Sequence, residues 1–428
     1  MGGSGMRRFM LLVLAALLAA APAMVLRITG WRPDPVADAL FFGVAVLAAG
    51  FMLSWGAEAA EKHISQGLIV ALVALVTVLP EYAVDLYYAF RAGQAPQSNY
   101  VHYAAANMTG ANRLLVGLAW PLMVLLHWLK TRNKALELSP VNAVEIAFLM
   151  LGSLYAFVIL FKGAIAPFDF AVLFLIFAGY LYRVSQLPKA DDDDDDEDEE
   201  PGPAAALNAL RPTAQWAWMG GLTLIAFVVI ATSAEPFAEA MVGSGRILGV
   251  DEFLLIQWLA PLASEAPAVT IAVLFVLAGR AVSGLTAMIS DKINQWTLLV
   301  GMLPLAMSLG AGGLIGLPLD ARQKEEFLLT AAQSLFAIML LVRLRISVLS
   351  AGLLFALFAV QVGLAFHFRE DEVATVNSLT ILAWTYLGLA AILVPLNGRR
   401  VVAVLRDGLL RSHRRMATAP EPHDLEGE

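Results

Sequence analysis

The sequence has no cysteine and little charge. Among its 428 residues the lack of cysteine excludes disulfides, thiolate chemistry and cysteine-ligated zinc or iron–sulfur sites. Only 15% of the residues are charged, against about 25% in soluble domains. In contrast, 59% are hydrophobic and the mean hydropathy is +0.72. A soluble fold cannot bury that much apolar surface, so the composition predicts an all-α membrane protein.

The sequence also lacks the marks of a catalytic or nucleic-acid-binding surface. The net charge of −8 arises from one run of ten acids, Asp191–Glu200, outside which 26 acidic residues face 28 basic ones. This near balance indicates no nucleic-acid partner. The six histidines form no closely spaced pair, and there is no GxxxxGK[ST] nucleotide loop. No nucleophile–base set for an intramembrane hydrolase is visible, so we expect no enzyme, no cofactor and no nucleotide partner.

Apolar stretches of about 20 residues, the length that crosses a bilayer core, occur twelve times. They cover residues 8–27, 37–61, 66–91, 101–129, 141–161, 166–184, 217–242, 251–279, 284–314, 324–342, 347–367 and 373–396. The first stretch follows Arg7 and Arg8 and contains Ala21-Pro22-Ala23, which is also typical of a signal peptide. Either interpretation starts the second span outside.

Positive charge predicts the orientation of these spans, because cytoplasmic connections carry an excess of lysine and arginine. The basic residues on alternate connections are Arg7, Arg8, Lys62, Lys130, Arg132, Lys134, Arg183, Lys189, Arg280, Arg343, Arg345, Arg399 and Arg400. We place these connections in the cytoplasm, and we expect a multi-pass protein in the plasma (inner) membrane of a prokaryote.

A proline- and acid-rich segment separates two halves of the chain. Its composition cannot fold alone, so residues 185–213 are predicted to be an acidic, flexible cytoplasmic linker. The other predicted divisions are an extra helix or signal segment over 1–36, a first transmembrane repeat over 37–184, a second over 214–367, an extra helix over 368–398 and a cytoplasmic tail over 399–428.

The two halves share a polar pattern at membrane depth. Glu81 precedes Asn107 by 26 residues, and Glu265 precedes Asp291 by the same 26. If each half contains five core spans, an odd number, the halves are inverted relative to each other. This is the plan of many secondary transporters, whose sites lie at the bilayer midplane. We therefore predict about ten core helices in two inverted five-helix repeats, with an extra helix at each end.

Carboxylates inside a membrane are costly and by default face a functional cavity. Pro80 and Pro267 lie close to the two glutamates, and a proline frees a backbone carbonyl oxygen for other partners. Two glutamates, an aspartate and an asparagine with freed carbonyls form an all-oxygen ligand set, which suits a hard cation such as Ca²⁺. The alternative is that each acid pairs with a basic residue in a packed bundle.

The motifs resemble those of the calcium/cation antiporter superfamily, which includes sodium/calcium and calcium/proton exchangers. Its repeats run roughly G-T-S-L-P-E and then G-N-x-x-G-S-N. Leu79-Pro80-Glu81 and the segment 107–112 match the first repeat, while Ser264-Glu265 and Asp291 match the second more loosely. The resemblance covers about 37–367 and implies that Glu81, Asn107, Glu265 and Asp291 are the central cation ligands.

Several positions depart from the family pattern. Hydroxyl groups that help form sodium sites in sodium/calcium exchangers are replaced by Val78, Leu262, Tyr103 and Ala287. This favours proton coupling over sodium coupling, although backbone carbonyls and water can complete a sodium site. Thr77 and Ser264 keep hydroxyls beside the glutamates and are accessory candidates.

Four further polar residues have two interpretations each. Asp85 is a proton carrier or second ligand, or a hydrated cavity wall. Asn112 supplies an amide oxygen, or it bonds between helices. Lys292 neutralises one carboxylate, or it extends to the inner interface, which we favour slightly. His102 relays protons, or it is a histidine at a loop end without a role.

These observations predict a secondary active antiporter that exchanges Ca²⁺ for H⁺ or Na⁺ by alternating access. Its partners are then inorganic cations and the lipid bilayer. A monovalent Na⁺ (or K⁺)/H⁺ antiporter on the same scaffold is the alternative, favoured by Lys292 and the missing hydroxyls. A channel or structural scaffold is a third possibility, although internal duplication favours alternating access.

Overall fold

The computed structural model describes residues 2–60, 78–186 and 203–411. Within them the chain forms twelve long helices and four short strands. The helices of the first half are α1 (Gly2–Thr29), α2 (Pro35–Ala60), α3 (Leu79–Gln94), α4 (Tyr100–Thr131, with a π-helical turn at Leu115–Ala119), α5 (Ala143–Lys162) and α6 (Pro167–Ser185). The predicted spans therefore correspond to helices, except that residues 61–77 lie outside the described residues.

The second half repeats the order of α2–α6 as α7–α11 and adds α12 at its end. Its helices are α7 (Pro212–Leu248), α8 (Glu252–Leu277, with a π-helical turn at Leu255–Leu259), α9 (281–311, built from Ala281–Asn294, a π-helical turn at Gln295–Leu299 and Val300–Ala311), α10 (Ala321–Leu341), α11 (Val348–His367) and α12 (Glu372–Leu410). Short 3-10 helices occupy Pro140–Asn142 and Pro203–Ala209.

Nine of the described helices are long and apolar enough to cross a membrane. The other three, α3, α9 and α10, carry buried polar side chains that include Glu81, Asp291 and Glu326. Because helices in hydrocarbon must hide such groups from lipid, these side chains face the inside of the bundle. α2 packs along α7, α3 packs against α9, and α10 packs against α12 and α5.

Two small sheets show that the halves are inverted. Strand β1 (Ala135–Glu137), between α4 and α5, pairs antiparallel with β4 (Arg345–Ser347), between α10 and α11. Strand β2 (Ala164–Ile165), between α5 and α6, pairs with β3 (Leu317–Pro318), between α9 and α10. The connection from the third to the fourth repeat helix thus lies at opposite ends of the bundle in the two halves. The predicted inverted five-helix repeats are confirmed.

Helix ends carry the expected capping groups. Asp320 begins α10, where its carboxylate accepts a 2.8 Å hydrogen bond from the Gln323 amide and the Gln323 side chain accepts one from the Asp320 amide. Gly163 ends α5 in a left-handed conformation with φ of 72°, which glycine adopts without strain. These caps fix where the helices turn back into the bundle.

The structure extends two predicted boundaries. Within the predicted linker, Pro203–Ala209 forms a 3-10 helix whose Ala204 and Leu207 are buried against α1 and α2. The last helix continues from the predicted tail boundary to Leu410. The side chain of Arg183 donates to the carbonyls of Gly408 (3.0 Å) and Arg411 (2.8 Å), which caps that end. The acidic run and residues 412–428 lie outside the described residues.

Candidate cation-binding site

The two glutamates of the repeats come from α3 and α8. Glu81 lies in the first turn of α3, directly after Pro80, a position where the missing proline amide breaks no helical hydrogen bond. Glu265 lies within α8, two residues before Pro267. Both side chains are almost fully buried, at 1% and 3% exposure. The charge of Glu265 acts on Glu81, so the repeats bring their equivalent acids together.

Asn107 and Asp291 complete the predicted set of four. Both are buried. Asp291 on α9 lies within electrostatic range of Glu81 and Glu265. Asn107 on α4 donates a 2.7 Å hydrogen bond from its amide nitrogen to Oδ1 of Asp85. The structure therefore gathers the residues around one buried centre, with Asp85 joined to Asn107 rather than exposed on a cavity wall.

Amide side chains of α9 bond to one of these acids and to the first repeat. Gln295 donates a 2.5 Å hydrogen bond to Oε1 of Glu265, and the Tyr82 hydroxyl donates a 2.7 Å bond to Oδ1 of Asn294. Asn112 uses its amide nitrogen locally, on the Met108 carbonyl. The hydroxyl of Ser264 likewise bonds to carbonyls of its own helix. Thr77 lies outside the described residues.

Several buried oxygen atoms at this centre have no hydrogen-bond partner among the described residues. They are Oδ2 of Asp85 and the amide oxygens of Asn107, Asn112 and Gln295. The carboxyl group of Glu81 lies within hydrogen-bonding range of that of Glu265. Buried oxygens without partners are unfavourable and call for an explanation. All of them are hard oxygen donors, the type that Ca²⁺ and Na⁺ accept. Within the described ranges no group of three acidic or histidine side chains has the spacing to hold a metal ion.

Two buried cations accompany the acids. Arg113 on α4 forms an ion pair with Glu326 on α10, with both side chains at most 3% exposed, and its guanidinium lies 5.2 Å from the ring centroid of Trp258. Sequence reasoning missed this pair, although an arginine in mid-span directly after Asn112 is the kind of charge that marks a functional or structural site.

Lys292 is fully buried, and the preference for an extended conformation towards the inner interface is wrong. Its Nζ donates a 3.3 Å hydrogen bond to the carbonyl of Asn112 and lies 4.6 Å from the ring centroid of Trp296. Lys292 therefore finds its contacts inside the bundle rather than at the interface.

A charged cavity of about 730 Å³ opens beside the start of α10, which directly follows β3. Six of its lining residues are His102, Tyr103, Glu252, Asp320, Arg322 and Glu370. Tyr103 lies one helical turn from Asn107, and its hydroxyl donates to Glu252. Through Tyr103 the wall of this cavity, called the vestibule below, comes within one helical turn of Asn107.

His102 has two side-chain partners at the start of α10. Its Nδ1 lies 3.1 Å from Oδ2 of Asp320 and 2.5 Å from the Gln323 side-chain nitrogen. Partial burial acts to raise the pKa of Asp320. The hydrogen bonds from His102 and the Gln323 amide, together with the charges of His102 and Arg322, outweigh burial and hold that pKa below its ordinary value. His102 therefore ties α4 to the start of α10 at the vestibule.

Comparison with known proteins identifies a family model and solved structures that match this chain. A family model described as sodium/calcium exchanger protein matches residues 36–186 and 218–367. The crystal structure of the H⁺/Ca²⁺ exchanger CAX is similar at 38% identity and a TM-score of 0.86, over 96% of this chain and 99% of that one. No curated protein sequence matches the chain.

Two more distant structures share the fold. The sodium-calcium exchanger NCX_Mj is 17% identical, with a TM-score of 0.50 over 77% of this chain and 98% of its own. The Ca²⁺/H⁺ antiporter YfkE is 15% identical, with a TM-score of 0.57 over 84% of this chain and 99% of its own. With both repeats matched and a 38% identical relative aligned along nearly the whole chain, this membrane protein belongs to the sodium/calcium exchanger family of cation exchangers.

Proposed function

We propose that the protein is a secondary active antiporter that exchanges Ca²⁺ for H⁺ by alternating access. The observation that carries this proposal is that the charges of Glu265, Asp85 and Asp291 all act on the buried Glu81, with unpartnered oxygen atoms of Asp85 and Asn107 beside them. Charges of one sign cannot stay buried together without a counter-charge. A divalent cation supplies that counter-charge, and the ligand chemistry is that of a hard cation.

Competition for the same carboxylates explains the exchange. When Ca²⁺ leaves, the acids need another positive partner, and protons or Na⁺ are the available ones. A conformational switch that requires an occupied site then couples the two fluxes and prevents leak. Because the sequence contains no nucleotide-binding loop, the ion gradient supplies the energy.

Proton coupling is supported by what replaces the missing hydroxyl groups. The Tyr103 hydroxyl donates to Glu252 at the vestibule rather than to the site, and Leu262 is 44% exposed. Val78 and Ala287 carry no polar side-chain atom. These positions therefore supply no side-chain oxygen for a sodium site, whereas proton binding needs only the carboxylates already present. The relative at 38% identity is an H⁺/Ca²⁺ exchanger, which supports the same assignment.

A monovalent Na⁺ (or K⁺)/H⁺ antiporter is the second candidate. The burial of Lys292 directly after Asp291 favours it, because a lysine that carries a proton there reduces the counter-charge that the substrate must bring. Flux measurements with each cation alone separate the two candidates.

The carboxylates are tested in proteoliposomes with Ca²⁺, Na⁺ and pH varied independently. Glu81→Gln and Glu265→Gln each remove a negative charge and preserve the shape of the side chain. We expect Ca²⁺ exchange to fall at least about tenfold, because the loss of one carboxylate–cation interaction costs more than about 1.4 kcal/mol, the energy that corresponds to a factor of ten. Glu137→Gln, at an exposed carboxylate in β1, is the matched control and should be unaffected. Near-normal flux in both glutamine variants would refute the proposed site.

The coupling ion is tested separately. Vesicles preloaded with Ca²⁺ receive an inward proton gradient or an inward Na⁺ gradient, one at a time. Proton coupling predicts Ca²⁺ efflux driven by external acid without Na⁺, and a pH change of opposite sign when Ca²⁺ runs inward. Flux driven only by Na⁺ would overturn the assignment of H⁺.

A further inference from the structure

Two buried glutamates lie at matching positions in the two repeats. Asn142 and Gln323 are the amide residues of two helix caps, one directly before α5 and one at the start of α10. Glu145 and Glu326 each follow their cap amide by three positions, and both are at most 3% exposed. The caps therefore place one buried acid in the first part of each of these helices.

The helices that face the two glutamates also correspond. A Cβ added at Gly152 on α5 would lie 2.9 Å from Cγ2 of Thr297 on α9. On α10, the side chain of Gln333 donates a 3.5 Å hydrogen bond to the carbonyl of Arg113 on α4. Each contacting residue follows its glutamate by seven positions, and Thr297 and Arg113 each follow the candidate ligand of their own helix by six. Arg113 and Thr297 are thus equivalent positions of the repeat.

One of the two glutamates has a cation at this position and the other does not. Arg113 forms an ion pair with Glu326, whereas its equivalent on the side of Glu145 is the uncharged Thr297. The neutral amide of Asn142 donates to Oε2 of Glu145 at 3.4 Å. Charged residues on the helices packed against α5 bond to other groups, and they include Arg183 on α6, Lys292 on α9, Arg343 after α10, and Asp407 and Arg411 on α12. A buried carboxyl without a counter-charge is most stable when it holds a proton.

Polar groups lead from Glu145 towards the cation site. The Nδ2 atom that bonds to Glu145 also donates to Oγ1 of Thr286 at 3.0 Å, and Ser290 donates to the Thr286 carbonyl at 2.9 Å. The hydroxyl oxygens of Ser290 and Tyr180 are 2.7 Å apart. Ser290 directly precedes Asp291 on α9, and the charges of Glu145 and Asp291 both act on the Tyr180 hydroxyl. A polar strip therefore runs from the first turn of α5 to the site.

Resting on the proposed function, we propose that Glu145 is a proton carrier of the exchange cycle, which takes up a proton at the β1–β4 end of the bundle and passes it along this strip to the buried acids. In each transfer the O–H bond of the Glu145 carboxyl breaks, and the hydroxyls of Tyr180 and Ser290 each accept one proton and donate another. Glu145 is left ionised until it takes up a new proton from solution. It carries protons and is not a ligand of Ca²⁺.

The experiment compares two modes of transport in proteoliposomes. Ca²⁺ efflux driven by an inward proton gradient needs protons at the site, whereas exchange of ⁴⁵Ca²⁺ for unlabelled Ca²⁺ at equal pH and saturating Ca²⁺ does not. Glu145→Gln removes the exchangeable proton and preserves the shape of the side chain. We expect proton-driven flux to fall at least about tenfold, because a positioned proton-transferring group contributes about 100-fold or more to a rate, and isotopic exchange to keep its wild-type rate.

Two matched variants distinguish proton carriage from a structural role. Glu145→Asp keeps a carboxyl group and should recover most of the proton-driven flux, while Glu137→Gln, at the exposed carboxylate in β1, should leave both modes unchanged. Equal loss of both modes in Glu145→Gln would overturn the inference. Wild-type proton-driven flux in Glu145→Gln, or flux as low in Glu145→Asp as in Glu145→Gln, would overturn it as well.

Tyr180→Phe decides the case in which Glu145→Gln does not fold. This variant removes one hydroxyl from the strip, and it should lower proton-driven flux and spare isotopic exchange. Wild-type proton-driven flux in Tyr180→Phe would then overturn the inference. Absence of proton-driven Ca²⁺ flux in the wild type would instead refute the proposed coupling ion, and with it the role of Glu145.

Discussion

Gly110 provides a sharp test of how helix packing positions the site, because the backbones of α4 and α8 touch there. A Cβ added at Gly110 would lie 1.9 Å from the carbonyl oxygen of Gln257 and 2.8 Å from its carbonyl carbon. Both are backbone atoms and cannot rotate away. Gly110→Ala therefore requires the two helices to separate.

The size of that separation follows from the contact distance. Real Cβ contacts essentially never fall below 3.0 Å, so the 1.9 Å contact requires a shift of at least 1.1 Å, the difference between the two values. Overpacking by one methylene typically costs about 1–3 kcal/mol, and a rigid backbone contact places this case at the upper end. Asn107 lies one turn away on the same helix, and a displacement of about 1 Å at a binding centre can reduce activity by about 100-fold.

The assay pairs thermal unfolding in detergent with Ca²⁺ flux in proteoliposomes. Gly110→Ala should lower the melting temperature and reduce flux at least about tenfold, given the shift beside Asn107. The matched control is Gly352→Ala in α11, where an added Cβ meets nothing within 4 Å, and where alanine should stabilise the helix by about 0.5–1 kcal/mol. Wild-type melting temperature and flux in Gly110→Ala would refute the close crossing of α4 and α8.

Three further outcomes are expected. Glu326→Gln leaves the buried charge of Arg113 unpaired, and we expect it to lower the free energy of unfolding by about 3–5 kcal/mol. Substituting both residues with apolar ones should recover most of that loss. Equal destabilisation by the single and double variants would contradict the pairing. Asp320→Asn should lower the melting temperature near neutral pH. The pKa of Asp320 is lower in the folded protein than in the unfolded chain. The ionised Asp320 therefore stabilises the fold above its unfolded-state pKa, and this stabilisation is lost as the pH falls through its folded-state pKa. The difference in melting temperature between variant and wild type should vanish in acid, and a difference that stays constant with pH would contradict the role of His102. Deletion of Asp191–Glu200 should leave ion preference and coupling ratio unchanged in the flux assay, and a changed ratio would show that this segment belongs to the transport machinery.

Hydropathy and charge along the chain were sufficient to predict the membrane helices and their repeat. A helix that crosses lipid needs a continuous apolar stretch, which is a local property of the sequence. The equal spacing from Glu81 to Asn107 and from Glu265 to Asp291 is sufficient to identify the acids that are buried. A carboxylate in such a stretch is unfavourable in contact with lipid, so the free energy of exposing it is sufficient to predict its burial in a polar centre.

The tertiary structure decided the partners of each polar group. Sequence spacing does not specify whether the ammonium of Lys292 extends to the interface or turns inward, because both directions suit a lysine in a helix. The nearby carbonyl of Asn112 and ring of Trp296 settle its direction. The ion pair of Arg113 with Glu326 joins α4 to α10, which are distant in sequence. Such pairings depend on the rotation and crossing of whole helices, and packing sets both.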